Sequence, residues 1–245
     1  MTLKRSLSVL LPLVAVAAVV VSPVAQSQAP ATQSPVNVVP GAIQIDPSHP
    51  KLDVTYGHSE LVLKYVQKDA DKPNGCQTRD HEETEQADVR PGAGFVTAGG
   101  VRFDLIQLHF HTPAEHQFNG RRDPLEMHLV HRSTAGKLLV IGVPLRVGGH
   151  SAVDTVLAKL APECGEQVRI PSIDLNSLLP HSRHTLRYEG SLTTFPFDEG
   201  VQWYLTTEKT VGAATLARFQ GLFNHGNSRE PQPLNGRKFT EVGLI

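Results

Sequence analysis

His109 and His111 stand on either side of Phe110 in Gln107-Leu108-His109-Phe110-His111, where polar and apolar residues alternate. A strand repeats every two residues, so both imidazoles project from one face while Leu108 and Phe110 project from the other. A helix would instead turn positions two apart away from each other. The same alternation runs through Glu60–Val66, Val101–His111, Leu125–Arg132 and Lys137–Val143, each bounded by Gly, Pro, Asp or Asn. The chain therefore reads as a sheet protein, mainly β within the α+β class. Its 20 Gly and 18 Pro, spread along the sequence, argue against long helices. Two short helices are predicted: Ser151 caps a run with Val153, Val156, Leu157 and Leu160 on one face, and Thr210 caps another with Leu216, Phe219 and Phe223. The polar stretch Asp71–Arg90, with Asp80, Glu82, Glu83, Glu85 and Asp88, reads as a solvated excursion between strands.

Lys4 and Arg5 precede an apolar run from Leu7 to Val21 that is short for a bilayer span, and small residues follow at Ala25, Ser27 and Ala29. Residues 1–29 are read as a secretory signal peptide with its leader, and 33–245 as one folded domain without repeats. The protein is then expected to be secreted or extracytoplasmic, with no stable membrane insertion after cleavage. Cys76 and Cys164, the chain's two cysteines, are expected to pair in that oxidising setting. With 23 Lys+Arg against 24 Asp+Glu and no basic block, the chain lacks a phosphate-neutralising surface, which sets nucleic-acid binding aside.

In Glu126-Met127-His128-Leu129-Val130-His131, Glu126, His128 and Val130 share a face. Asn119, Gly120 and Asp123 supply turn chemistry for antiparallel pairing with the His109 segment, which brings a third imidazole to the first two. Three neutral imidazoles suit Zn²⁺, leave a tetrahedral position for water, and keep the ion's full charge available to acidify it. A metal-bound imidazole needs an acceptor at its other nitrogen, and Gln107 and Glu126 each sit two residues before a ligand on its face. His131 projects to the opposite face and reads as structural. A competing reading takes His109-x-His111 followed by Glu115 as a cupin metal motif with Glu115 as ligand. No PxG with a following His and Asn comes after His128 to complete it.

Three separated stretches, Gln107-Leu108-His109-Phe110-His111-Thr112-Pro113-Ala114-Glu115-His116, Glu126-Met127-His128-Leu129-Val130-His131 and Ser191-Leu192-Thr193-Thr194, resemble the α-class carbonic anhydrases in order and spacing. The resemblance runs from Gln33-Ser34-Pro35-Val36-Asn37 to Gln232-Pro233-Leu234-Asn235-Gly236-Arg237. It implies a single domain built on a large, twisted, mostly antiparallel central sheet with short peripheral helices, and zinc at the base of a conical cleft. The implied activity is reversible hydration of carbon dioxide to bicarbonate and a proton by zinc-bound hydroxide. His109, His111 and His128 are then the zinc ligands, with Gln107 and Glu126 behind them. Thr193 gives its one proton to Glu115 and so can only accept from the nucleophile, Thr194 contacts bicarbonate, and Val130, Val140, Leu192, Val201 and Trp203 form the apolar carbon dioxide pocket. A catalytically inactive binding module of the same family is the alternative, although such members typically lose a zinc-binding histidine.

The chain departs from the family in three places. Little room precedes Gln33 for the usual aromatic-rich segment. Phe195 and Phe197 replace residues that are usually Pro and, in bacterial members, often Cys. Where the family has an Asn-Gly-His ending in its proton-shuttle histidine, this chain has Asn74-Gly75-Cys76, which shifts the shuttle assignment to His81.

Overall fold

The computed structural model describes residues 32–68, 76, 82–182 and 184–244. The strands are β1 (Asn37–Val38), β2 (Ile43–Ile45), β3 (Asp53–Tyr56), β4 (His58–Val66), β5 (Thr84–Val89), β6 (Gly94–Ala98), β7 (Val101–His111) and β8 (Gln117–Phe118). They continue with β9 (Leu125–Arg132), β10 (Leu138–Val147), β11 (Val168–Asp174), β12 (His184–Ser191), β13 (Glu199–Thr206), β14 (Lys209–Val211) and β15 (Phe239–Gly243). Most join one 13-stranded mixed sheet with the central order β11-β4-β5-β7-β9-β10-β13-β12-β15-β2. Pairing is antiparallel across β4, β5, β7, β9 and β10, and parallel between β10 and β13 and between β15 and β2. Among the described residues no helix is long and apolar enough to cross a membrane.

The sheet's alternation sorts side chains into two apolar clusters, one on each face. Leu108, Phe110, Leu129, Leu139, Ile141 and Tyr204 belong to the larger core, with Phe219 from helix α2 (Ala213–Leu222). Val130, Val140, Val201 and Trp203 form the smaller cluster on the histidine face. The expected unbroken alternation of β7 is corrected by a register shift between Leu105 and Gln107. The extra residue resets parity, so that Phe103 and Leu105 face the same core as Leu108 and Phe110.

Three further expectations are revised. The acidic stretch read as an excursion contains β5, which lies inside the sheet between β4 and β7. Its polar residues hid the alternation: Gln86 and Asp88 are half-buried and bonded to each other, while Ala87 and Val89 enter the core. β10 continues past Val143 through Pro144, which pairs with Glu126, and β14 then runs alongside from Leu145. Ser151 caps α1 (Ala152–Val156) with a capping box completed by Asp154, as its sequence suggested. Thr210, by contrast, lies in β14, and α2 begins after Gly212, whose N–H donates to Asp154 Oδ1 at 2.9 Å. A disulfide joins Cys76 to Cys164.

Glu85 of β5 is buried, and burial raises its pKa from an ordinary 4.5 to about 8, with the Ala161 backbone pulling the other way. A carboxyl whose folded pKa is raised contributes stability that is complete below pH 4.5 and disappears as pH rises towards 8. Wild-type protein should thus lose on the order of 4 kcal/mol through this group over that interval. Glu85→Gln should flatten the alkaline side of the profile, as measured by chemical denaturation at a series of pH values. Parallel wild-type and variant profiles would show that Glu85 is not held protonated.

Candidate metal centre

Strand pairing sets the centre's width. In the β7–β9 register His109 lies directly opposite His128 and His111 opposite Glu126. Ligand nitrogens of His109, His111 and His128 converge within 4.8 Å of one another. His111 and His128 are buried, while His109 is half-buried. The expected trio is therefore brought together.

Each ring is oriented by a hydrogen bond at its far nitrogen. His109 Nδ1 donates to Gln107 Oε1 at 2.9 Å, and His128 Nε2 donates to Glu126 Oε1 at 3.0 Å, the two acceptors anticipated from sequence. His111 Nδ1 donates to the Asn227 carbonyl at 2.8 Å, an acceptor that sequence reading missed. Gly226, at φ +76°, allows that carbonyl's approach, since a Cβ there would stand 3.0 Å from the Thr112 carbonyl oxygen. Gly142, opposite His128, similarly leaves space for Glu126, whose Oε1 would lie 2.9 Å from an added Cβ.

These acceptors fix the tautomers, so His109 Nε2, His111 Nε2 and His128 Nδ1 carry lone pairs inward. Burial keeps all three rings neutral: it lowers each pKa, and neighbouring histidines lower that of His109 further. His111 Nε2 is buried without a hydrogen-bond partner among the described residues, and His128 Nδ1 faces His109 Nε2 at 3.3 Å. Facing lone pairs repel, and a cation converts that repulsion into coordination. The residues present therefore fit a metal ion.

Glu126 also anchors a network that extends away from the centre. Burial alone would raise its pKa, but His116 and His128 hold it well below the carboxylate range. His116 donates Nδ1–H to Oε1 at 2.7 Å and its backbone N–H to Oε2 at 2.8 Å. Tyr188 donates its hydroxyl to His116 Nε2 at 2.7 Å, and Ser34 Oγ lies 2.8 Å from the same hydroxyl. His116 and Tyr188 had no assigned role from sequence, because a lone histidine and a core tyrosine carry no spacing signal. His131 is structural, as expected. It accepts from Tyr56 Oη at 2.6 Å and donates to the Leu139 carbonyl, and burial lowers its pKa to about 4.

Beside the three histidines, buried Glu115 accepts the Arg229 backbone N–H at 2.8 Å. Burial outweighs the lowering by His128, the Arg229 N–H and Thr193 and raises its pKa to about 7. Its carboxylate lies 3.6 Å from His111 Nδ1 and 4.0 Å from His128 Nδ1. Thr193 is buried and Thr194 half-buried at the end of β12. Val130, Val140, Val201 and Trp203 are buried in one cluster with Leu192 packed against it, and the Trp203 and His128 ring centroids are 4.9 Å apart. His81 lies outside the described residues.

The fold and site define a sheet protein with a three-imidazole cluster that could hold a metal ion, beside an apolar wall. Residues 23–242 match the family model described as eukaryotic-type carbonic anhydrase, and the chain belongs to that family. A carbonic anhydrase of Klebsiella pneumoniae is 39% identical over 152 residues, covering 61% of this chain and 62% of its own length. One from Nostoc sp. is 33% identical over 175 residues, covering 70% and 66%. The chain thus spans just under two thirds of these relatives. Among solved structures, the α-carbonic anhydrase of Thermovibrio ammonificans in complex with the inhibitor sulfanilamide has a TM-score of 0.73 at 30% identity, covering 86% of this chain and 87% of that one. Family membership sets the cupin reading aside.

Proposed function

We propose that the chain is a zinc-dependent carbonic anhydrase that interconverts carbon dioxide and bicarbonate. The observation that carries this reading is the convergence of three neutral imidazole nitrogens, each ring tied at its far side, next to the Thr193–Glu115 pair. His109, His111 and His128 would hold the ion. Three neutral ligands leave its charge undiminished, and zinc when bound supplies the Lewis acidity that makes water nucleophilic near neutral pH.

The chain's own residues do the positioning. Thr193 has one hydroxyl proton, and giving it to Glu115 leaves only lone pairs facing the reacting oxygen. That oxygen is then held in one orientation, a gain in geometry with no proton transferred by Thr193. The wall of Val130, Val140, Leu192, Val201 and Trp203 offers dispersion contacts to a small linear apolar molecule and keeps water from competing for its place. Thr194, beside Thr193 and partly exposed, would contact the bicarbonate oxygens as they form. The disulfide and the basic-then-apolar start of the chain support an extracytoplasmic location. His81 is retained as the proton carrier on its chemistry, since an imidazole titrates near neutral pH.

The deciding experiment pairs metal analysis of the purified chain with a stopped-flow hydration assay before and after chelation. One zinc per chain with activity lost on chelation and restored by zinc is the expected result. Stoichiometric zinc without hydration would instead favour the binding-module alternative.

A further inference from the structure

Thr193 and Thr194 sit on a loop that leaves β12 and returns to β13. Leu192 N–H donates to the Asp198 carbonyl at its base and Phe197 N–H to the Thr194 carbonyl within it, both at 2.9 Å. Little of the loop is buried beyond Thr193: the Phe195 side chain is 72% exposed, and Phe197 adopts φ +62°, a left-handed conformation costly for a bulky residue. Such a segment holds its shape only if its surroundings fix it.

Two anchors do so from opposite sides. At Phe197, the Arg229 guanidinium lies 3.8 Å over the ring, and Gln33 Nε2 donates to the backbone carbonyl at 3.0 Å. Arg229 is the residue whose backbone N–H holds Glu115, so this anchor ties the loop to the carboxylate assigned to Thr193 in the proposed function. At Phe195 the anchor is a carboxylate from the far side of the histidines: the Phe195 N–H donates to Glu82 Oε1 at 2.9 Å. Glu82 Oε2 in turn lies 3.9 Å from Lys68 Nζ.

We propose that Glu82 is a positioning residue for the function inferred above, latching the Thr193–Phe197 loop to the start of β5 and thereby setting where Thr193 and Thr194 stand. Thr193 and Thr194 occupy the span between the Leu192 anchor in the sheet and the Phe195 latch. Releasing the latch frees one end of that span while leaving the imidazole centre untouched. Displacement of a positioning group by a fraction of an ångström is enough to slow a reaction severalfold.

The test uses the full zinc-loaded chain. Glu82→Ala should speed hydrogen exchange at the Phe195 amide about tenfold, the scale of one lost hydrogen bond, and should lower kcat/KM for carbon dioxide by roughly five- to tenfold. Zinc stoichiometry and thermal midpoint should stay as in wild type. Glu82→Gln retains an acceptor oxygen and should keep both exchange and rate within about twofold of wild type. In a Phe195→Pro background, which lacks the donor, Glu82→Ala should have no further effect on rate. Unchanged exchange at Phe195 in Glu82→Ala, faster exchange with an unchanged rate, equal impairment by Gln and Ala, or additive effects in the double variant would each overturn the proposal. Absence of hydration by zinc-loaded wild type would overturn the function and the positioning role with it, while amide exchange would still report whether the latch forms.

Discussion

His128→Ala is expected to release zinc on dialysis and to retain almost no carbon dioxide hydration. The imidazole supplies one of three inward nitrogens, and its replacement leaves two, one short of the three protein ligands that an open catalytic zinc site uses. Removal of a residue that merely orients a ligand costs about 10- to 100-fold in metal affinity, so loss of a ligand itself should cost at least as much. His128 also gives Glu126 one of its hydrogen bonds, and its ring packs against Trp203 and His116, so the variant weakens the network behind the centre as well. Metal content after chelator-free dialysis and stopped-flow hydration together read the effect. A variant with one tightly held zinc and normal turnover would remove His128 from the ligand set.

How much of this site was legible in the sequence depends on how far apart its parts lie in the chain. His109, His111, Gln107, Glu126 and His128 belong to two strands whose bounds occur as read, Val101–His111 and Leu125–Arg132, and all five lie clear of the register shift at Leu105–Gln107 or at its end. Period-two geometry then fixes their faces. The acceptor for His111 could not be found this way, because Asn227 lies more than a hundred residues away, outside any strand, and reaches the ring with a backbone carbonyl. Residue type says nothing about a carbonyl's direction. Arg229 was hidden for the same reason, since it holds Glu115 through its backbone N–H. β5 was missed because its alternation is between polar and small apolar residues, and its buried Glu85 breaks the rule that charged side chains stay outside. The misplaced cap of α2 shows the reverse error: Thr210 is a good capping residue, but β14 claims it, and a carboxylate from α1 serves the Gly212 N–H instead.

Thr193→Ala should keep zinc and lose rate, which separates orientation from metal binding. The side chain is absent from the converging nitrogens, so its removal leaves the ligand set whole. What it removes is a hydroxyl that, in the proposed function, directs its single proton to Glu115, a carboxylate held by the Arg229 backbone N–H. With that proton committed, the Thr193 oxygen would act toward the reacting centre as an acceptor only, and a water taking its place in the variant would be free to donate or accept. Loss of one preorganised hydrogen bond of this kind costs on the order of 10²-fold in rate. Thr193→Ser keeps the hydroxyl and should recover most of it, whereas a serine variant as slow as the alanine variant would assign the effect to the missing methyl group and its packing. Wild-type kcat/KM in zinc-loaded Thr193→Ala would show that the hydroxyl does not aim the nucleophile, whatever its distance from Glu115.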